Sequence, residues 1–335
     1  MKQFFIDLEE VMSVQSESYN SVRMETFIKR TLSNMELGYT TDKYGNIYVT
    51  KGNAELYPTM VCHIDTVHDI NDNVVVMQID DNMFALDKVK MERYGIGGDD
   101  KVGIYITLSL LSTMENFKAV FFKDEEVGCI GSSKADHSFF DDSTIVLQCD
   151  RQRIGDFVNE ISGRKLFDKE LENDIIHTLK KYNRKVVSGG ITDVGQIAEK
   201  NEVQVANMSC GYYDPHSDNE YIKVSEVEST KQMCWEILSK TKDKRYTIDL
   251  ATRYTFPTYA WTGNYVGYGR ESIHNHNFRG NDHFLNGNTW DNDDAWDNTR
   301  NYPKSEVIEQ EEEFDHIKLQ EPCIACNSEV WYDDY

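Results

Sequence analysis

The sequence is short of basic residues. It has 35 Lys and Arg against 58 Asp and Glu, so its formal net charge is −23. Such a surface repels the phosphates of nucleic acid, which we therefore exclude as a partner. Long apolar runs are also missing, since none approaches the roughly 18 residues that a membrane span requires. Acidic Asp7 comes too early for a secretory signal, so we expect a soluble, cytoplasmic protein with no membrane partner.

A disulfide framework is missing as well. The seven cysteines are scattered without the close, even spacings of such a scaffold, which favours a reducing compartment. Cys62 and Cys149 lie in apolar runs, where a small buried thiol is the expected role. Cys323 and Cys326 form half of a zinc knuckle at best, because no second Cys pair follows.

The chain is organised around an aspartate pair in the segment GGDDKVG, residues 97–103. The glycines allow a sharp turn after a strand. Asp99 and Asp100 then stand at the start of an apolar run with helical spacing, where negative charge is favoured. Taken alone, the pair is equally well explained as an ordinary helix cap with a spare acid.

Polar side chains with metal-binding chemistry follow three apolar runs that are typical of buried strands. In chain order they are His63 and Asp65, then Glu125 and Glu126, then Asp150. In an open α/β sheet, ligands bind at the carboxyl ends of the strands. We therefore expect these side chains and Asp99 to share one rim of one sheet. Carboxylates crowded together need a compensating charge, which one or two divalent cations would supply.

The motifs in this order resemble the dinuclear zinc exopeptidases, which include peptidase T, carboxypeptidase G and the glutamyl aminopeptidases. The motifs are His-x-Asp, Gly-Asp-Asp-Lys, Glu-Glu-Val-Gly, a strand-end Asp and a late His in the segment DPHS at 214–217. The segment GGITD at 189–193 is similar to a glycine-rich turn of the same group. The resemblance covers roughly residues 1–240, and five motifs in order are far more specific than one.

The resemblance implies a fold, a metal centre and a set of roles. The fold would be α/β, with a mixed, mostly parallel central sheet flanked by helices, in a single catalytic domain with a C-terminal appendage. The two metal ions would be Zn²⁺, with Co²⁺ or Mn²⁺ as alternatives. The implied metal ligands are His63, Asp99, Glu126, Asp150 and His216. Asp99 would bridge both ions and share a cis peptide with Asp100, and Glu125 would be the general base.

Asp65 is predicted to act on His63. One residue separates them, so both side chains leave the same face of an extended strand. A carboxylate beside a metal-bound imidazole fixes its tautomer and raises its basicity. We therefore place Asp65 and Glu125 in the catalytic machinery. His68, slightly further along, is predicted to be a surface residue.

The segment between Asp150 and Gly189 departs from the lidded relatives, which insert a whole domain there. About 40 residues are too few for a second domain, so this chain should lack the lid. Substrate contacts are then expected from Gly189, Gly190, Thr192 and Asp193. Backbone amides at a helix starting there could hold a carboxylate or an oxyanion, although an ordinary helix cap is an equal alternative.

Composition changes after Lys244. Residues 245–335 hold four of the five tryptophans, with 17 acidic and 7 basic residues and few aliphatic side chains. This composition is typical of a disordered or loosely ordered appendage. We predict a catalytic domain over residues 1–244 and a non-catalytic acidic tail over 245–335 that could bind a protein partner.

These observations predict a metal-dependent exopeptidase that hydrolyses short peptides, as an aminopeptidase or tripeptidase. Two alternatives stay open: an amidohydrolase acting on N-acyl amino acids, and a non-catalytic binding or assembly protein on the same fold.

At the amino end, helical spacing predicts an amphipathic helix over residues 3–13 that buries Phe4, Phe5 and Val11.

Overall fold

The computed structural model describes residues 4–253 of the chain. In this range the strands are β1 (Thr40–Thr41), β2 (Ile47–Lys51), β3 (Tyr57–His63), β4 (Val74–Ile79), β5 (Asn82–Asp87), β6 (Glu92–Tyr94), β7 (Phe117–Phe122), β8 (Ser143–Gln148), β9 (Asp156–Ile161), β10 (Arg164–Lys165), β11 (Lys185–Gly189), β12 (Val205–Met208), β13 (Tyr212–Tyr213) and β14 (Tyr221–Lys223). The helices are α1 (Leu8–Ser13), α2 (Val22–Asn34), α3 (Gly98–Thr113), α4 (Ile130–Ser133), α5 (Lys169–Lys181), α6 (Asp193–Lys200) and α7 (Val224–Thr241). Short 3-10 helices span His137–Phe140 and Leu250–Thr252.

The larger sheet has nine strands in the order β1-β2-β7-β3-β8-β12-β9-β10, with β11 also paired to β9. Its centre is parallel, because β7, β3, β8 and β12 run in the same direction. The flanking strands β2 and β9 run antiparallel to this centre. Strands β3, β7 and β8 are buried along their whole length, as their continuous apolar runs predict. The expected α/β fold with a mixed, mostly parallel sheet is confirmed.

A smaller antiparallel sheet takes three of its strands, β4, β5 and β6, from the segment between β3 and α3. It has the order β13-β14-β5-β4, with β6 also paired to β5. Strands β4 and β5 form a hairpin in which Ile79 pairs with Asn82. The strands β13 and β14 come from far along the chain, so this sheet joins the segment after Asp65 to the segment around His216.

Helix α3 is buried on nearly all sides. It packs against β3, β7, α1 and α7, and it is apolar around its circumference from Val102 to Leu111. A helix of this kind belongs to the interior of a domain rather than to its surface. Its amino end is therefore held firmly at the rim of the larger sheet.

Helix α1 is shorter than predicted. The Asp7 carboxylate accepts the amide of Glu9 at 2.9 Å and begins the helix at Leu8. This N-cap stops the helix from extending back over the preceding residues. Phe5 consequently lies exposed, contrary to the prediction, whereas Val11 is fully buried.

The segment after Asp150 contains no inserted domain. It forms β9, β10, α5 and β11, and all three strands join the larger sheet. Within residues 4–253, no helix has the length and apolar character needed to cross a membrane.

The packed chain continues past the predicted boundary at Lys244. The Tyr246 amide donates to the Thr144 carbonyl at 2.9 Å, and Arg253 is buried. The predicted tail from residue 254 onward, including Cys323 and Cys326, lies outside the described residues.

Candidate metal centre

The candidate site lies at the carboxyl ends of the three central parallel strands. His63 is the last residue of β3, while Glu125 and Glu126 follow β7 and Asp150 follows β8. Because β3 pairs in parallel with both β7 and β8, these strand ends meet at one rim. The structure thus brings together the strand-end residues that the sequence analysis singled out.

Asp99 reaches the same rim from the start of α3. Gly97 has a φ of 68°, a conformation that glycine adopts freely. A Cβ on Gly98 would come within 2.8 Å of Tyr212 and Ile222 side-chain atoms, so the turn lies tightly against the smaller sheet. The peptide between Asp99 and Asp100 is cis. The buried Asp100 carboxylate accepts the amides of Gly103 at 3.0 Å and His63 at 3.3 Å.

One group of side chains forms around His63, which is fully buried. Its Nε2 lies 3.1 Å from Asp99 Oδ1 and 3.9 Å from Asp150 Oδ1. Burial alone would lower the pKa of His63, but Asp65 and Asp99 raise it well above its ordinary value. Burial raises the pKa of Asp150, and the charge of Asp99 adds to the effect.

A second group forms around His216. Its Nε2 lies 3.1 Å from Glu126 Oε2 and 3.5 Å from Asp99 Oδ2. These two carboxylates raise the pKa of His216 to about 11. The His216 side chain is 52% exposed, so this end of the centre is open to solvent. Asp99 presents one carboxylate oxygen to each histidine and stands between the two groups.

The donor set fits a divalent cation. His63, Asp99 and Glu126 each offer a ligand atom, and these atoms lie within 4.8 Å of one another. Among the described residues, the buried Glu126 Oε1 has no hydrogen-bond partner. Imidazole nitrogens and carboxylate oxygens suit Zn²⁺ and related ions. The carboxylates here face the positive charge of the histidines, and a bound cation would supply positive charge in its place.

Asp65 ties His63 to the two glutamates. Its carboxylate accepts Ser18 Oγ at 2.7 Å, the Glu125 amide at 2.9 Å and the Glu126 amide at 3.3 Å. His63 Nδ1 lies 3.0 Å from the Asp65 carbonyl oxygen and 3.5 Å from the carboxylate. The backbone carbonyl is therefore the nearer acceptor for His63, and the carboxylate mainly fixes the turn that carries Glu125 and Glu126.

Glu125 and Glu126 face different partners. Glu126 contacts His216, whereas Glu125 Oε1 accepts the Cys129 thiol at 3.2 Å. Burial raises the pKa of Glu125 to about 8; His63 opposes this shift, and the charges of Asp193 and Glu126 favour it. A carboxyl group of this kind can accept and release a proton near neutral pH.

Thr192 and Asp193 are buried and contact side chains at the end of β8. Thr192 Oγ1 lies 2.6 Å from Asp150 Oδ2 and 2.9 Å from Gln148 Oε1. Gln148 Nε2 donates to Asp150 and Asp193 at 3.1 and 3.2 Å, and its Oε1 accepts the Val194 amide at 3.0 Å. That amide at the start of α6 is thus already paired within the protein.

The two glycines of the predicted substrate segment occupy different positions. Gly189 ends β11, and a Cβ there would meet the Val158 side chain at 2.7 Å and Arg151 at 3.4 Å. Gly190 is exposed, and a Cβ there would meet no atom within 4 Å. A role of residues 189–193 in substrate binding stays a prediction.

Sequence reasoning missed two residues beneath the Asp99 turn. His68 is mostly buried, contrary to the prediction, and its Nε2 lies 2.8 Å from the fully buried Glu220 carboxylate. Neither residue belongs to a recognisable motif, and 152 positions separate them. A glutamate followed by strand β14 gave no signal by which the pair could have been found.

A family model described as M42 glutamyl aminopeptidase matches residues 75–233. This match supports a peptidase function and confirms the predicted resemblance to the zinc exopeptidase group. No curated protein matches the sequence at a significant level.

Solved structures share the fold of this chain. The aminopeptidase PepT from Bacillus cereus ATCC 10987 is 13% identical, with a TM-score of 0.58 over 70% of this chain and 96% of its own. A tripeptidase from Staphylococcus aureus subsp. aureus Mu50 is 14% identical, with a TM-score of 0.56 over 71% and 97%. The Pyrococcus horikoshii TET1 peptidase, which can assemble into a tetrahedron or a large octahedral shell, is 13% identical, with a TM-score of 0.52 over 69% and 98%.

Proposed function

We propose that this chain is a metal-dependent exopeptidase that hydrolyses short peptides, as an aminopeptidase or tripeptidase. The observation that carries the proposal is the meeting of His63 and His216 with the two oxygens of Asp99 at one rim of the sheet. The remaining ligands would be Asp150 on the His63 side and Glu126 on the His216 side. The matched family model and the names of the solved neighbours support a peptidase over other hydrolases.

The proposed ligands are suited to two divalent cations, with Zn²⁺ the expected metal and Co²⁺ or Mn²⁺ as alternatives. When bound, such ions supply a Lewis acid and activate water near neutral pH. The protein's own part is to hold five ligands at fixed positions and to move one proton.

Glu125 is the group that would move this proton. It is the neighbour of the proposed ligand Glu126, and burial raises its pKa to about 8, where proton transfer in both directions is favourable. Its carboxylate would take a proton from the attacking water and pass it to the leaving amine. Asp65 would act indirectly, by holding His63 and the amides of Glu125 and Glu126.

The open side at His216 leaves room for a peptide. No inserted domain covers the rim within residues 4–253, and the proposed substrate contacts come from loops around this rim. The proposed substrate is a short peptide. A cytoplasmic location and a protein partner for the tail stay predictions.

The test combines metal analysis with a substrate panel. The full chain, purified without chelator, should contain two metal ions and cleave aminoacyl arylamides or tripeptides. Chelation should abolish this activity, and added Zn²⁺, Co²⁺ or Mn²⁺ should restore it. Acetylating the peptide amine should block an aminopeptidase or tripeptidase.

Three results would contradict the proposal in different ways. If metal-free protein still hydrolyses peptides, the proposal that hydrolysis depends on a metal is wrong. Activity confined to N-acyl amino acids would identify an amidohydrolase instead. A two-metal protein inactive on every substrate of the panel would favour a non-catalytic binding role.

A further inference from the structure

The buried carboxylate of Glu220 lies directly beneath the turn that carries Asp99. Its Oε2 accepts the Gly97 amide at 2.7 Å, and its Oε1 accepts the Asp99 amide at 3.1 Å. The one carboxylate therefore grips the backbone on both sides of Gly98. Bonds from backbone amides to a charged acceptor are among the stronger hydrogen bonds in proteins.

His68 completes the partners of Glu220. Its Nε2 lies 2.8 Å from Glu220 Oε2 and must carry the proton, since the carboxylate can only accept. The imidazole itself is wedged against the backbone: a Cβ on Gly95 would lie 1.9 Å from the His68 ring. The glycine thus lets His68 approach closely enough to hold Glu220 from below.

Glu220 also belongs to the segment that carries His216. Only four positions separate them, and the Glu220 amide donates to the Ser217 carbonyl at 3.2 Å within the same loop. Arg93 on β6 donates to the carbonyls of Asn219 and Glu220 at 3.0 and 3.2 Å, which anchors the loop to the smaller sheet. Two distant segments, the Asp99 turn and the His216 loop, therefore meet at one carboxylate.

We propose that Glu220 is a positioning residue that ties the His216 loop to the Asp99 turn, and so sets the geometry of the metal position shared by His216, Asp99 and Glu126. This inference rests on the proposed two-metal function. The reason is geometric: the His216 side chain is half exposed, and Glu220 bonds the backbone of the Asp99 turn from within the His216 loop. Groups that orient metal ligands in this way typically contribute about 10- to 100-fold in metal affinity.

The experiment measures the affinity of each metal position in the full chain. Metal-free wild type, Glu220→Gln and a control are titrated with Zn²⁺ and with Co²⁺ by calorimetry, and Co²⁺ absorption spectra report ligand geometry. The control is Asp87→Asn, which also alters a buried carboxylate bonded to backbone amides, at Val89 and Lys90, but touches no proposed ligand.

Glu220→Gln should weaken the metal position shared by His216, Asp99 and Glu126 by about 10- to 100-fold. The affinity of the other position should stay within about threefold of the wild type. Its Co²⁺ spectrum should change only at the equivalent whose affinity falls. Asp87→Asn should bind both ions as the wild type does. A purely structural role for Glu220 would lower thermal stability without selecting one metal position.

His68→Ala provides a second variant in case Glu220→Gln does not fold. It leaves the Glu220 carboxylate in place but removes a donor that holds it, so it should weaken the same position to a smaller extent. Unchanged affinity at both positions in the folded variants would overturn the inference while leaving the proposed function intact. Equal weakening by Asp87→Asn would also overturn it. A wild type that binds no metal would instead defeat the proposed function, and this inference with it.

Discussion

Glu125 and Glu126 are neighbours in the chain but meet different partners. Their backbone amides both donate to Asp65, while their side chains diverge toward Cys129 and His216 respectively. Adjacent residues at a strand end generally point apart, so the sequence alone predicts that the two glutamates have different roles. Their contacts, however, depend on tertiary structure that no local pattern reveals.

Glu125→Gln keeps the shape of the side chain and removes its basicity. General acid–base help is typically worth about 10²–10⁴-fold, so we expect a loss of kcat of that order with metal content retained. Glu126→Gln is the matched variant; it replaces an anionic ligand by a neutral one, so metal content should fall and excess metal should partly restore activity. Elemental analysis and kcat are measured for both. If Glu125→Gln loses metal and Glu126→Gln keeps it, the two roles are reversed; full activity in both would refute the catalytic reading.

At the residue scale, a side chain could be predicted as part of the site when the signal for it lay close by in the sequence. His63, Asp99 and Asp150 could be singled out because each directly follows an apolar run or a glycine turn. The contacts of Thr192 and Asp193 to Asp150 and Gln148 span more than 40 positions, so no local pattern indicates them, and a role of both residues in substrate binding stays a prediction. Glu220 and His68 could not be found at all, since burial and pairing across 152 positions leave no local signature.

At the scale of elements, helix α2 is fastened to the strand that delivers the glutamates. Glu25 on α2 lies 2.7 Å from Lys123, just after β7, and 3.3 Å from Lys29 one helical turn away. Burial alone would raise the pKa of Glu25, but the two lysines lower it below its ordinary value. The link is mostly shielded from water, so its charge interactions are less screened than those of a surface pair.

Glu25→Gln should therefore destabilise the protein by about 1 kcal/mol at pH 7. A carboxyl group whose pKa is lower in the folded protein than in the unfolded protein stabilises the fold at pH values above its unfolded-state pKa, near 4.3. This stabilisation is lost as the pH falls through the folded-state pKa. The difference between wild type and variant should shrink from about pH 5 downward, as measured by urea unfolding. The control is Glu10→Gln, whose partner Arg30 lies 2.9 Å away in an exposed pair that should contribute almost nothing. An equal effect of both variants at pH 7, or a pH-independent effect of Glu25→Gln, would contradict this account.

Elements were more predictable in the sheet than at the chain ends. The buried strands β3, β7 and β8 carry continuous apolar runs, and their parallel pairing follows from the intervening helices and hairpin. Helix α1 was predicted too long because its apolar pattern continues to Phe4 and Phe5, whereas the Asp7 cap begins it later. A capping side chain decides a boundary that periodicity alone leaves undefined.

At the scale of the whole molecule, the packed chain extends past the boundary at Lys244 that composition predicts. Residues 245–253 contain a single aromatic residue, Tyr246, and the aliphatic residues Ile248 and Leu250, and both Tyr246 and Ile248 are buried. Arg253 donates to the carbonyls of Lys165 at 3.1 Å and Glu202 at 2.9 Å, and its own carbonyl accepts the Lys165 amide at 2.7 Å. Burial lowers the pKa of Arg253 to about 10, which leaves it charged at neutral pH.

A chain ending at Arg253 should therefore keep the unfolding free energy and kcat of the full protein, while one ending at Lys244 should lose at least about 2 kcal/mol, because buried carbonyls lose their donors. Arg253→Met in the longer chain isolates the guanidinium and should reproduce part of that loss. Urea unfolding and hydrolysis of a small chromogenic peptide are measured for all of these proteins.

If the chain ending at Arg253 is folded by circular dichroism but inactive, the residues beyond it contribute to the active site, and the catalytic domain extends into the predicted tail. If the chain ending at Lys244 is as stable as the full protein, the contacts of Arg253 and Tyr246 add nothing to the fold, and the boundary predicted from composition is the correct one.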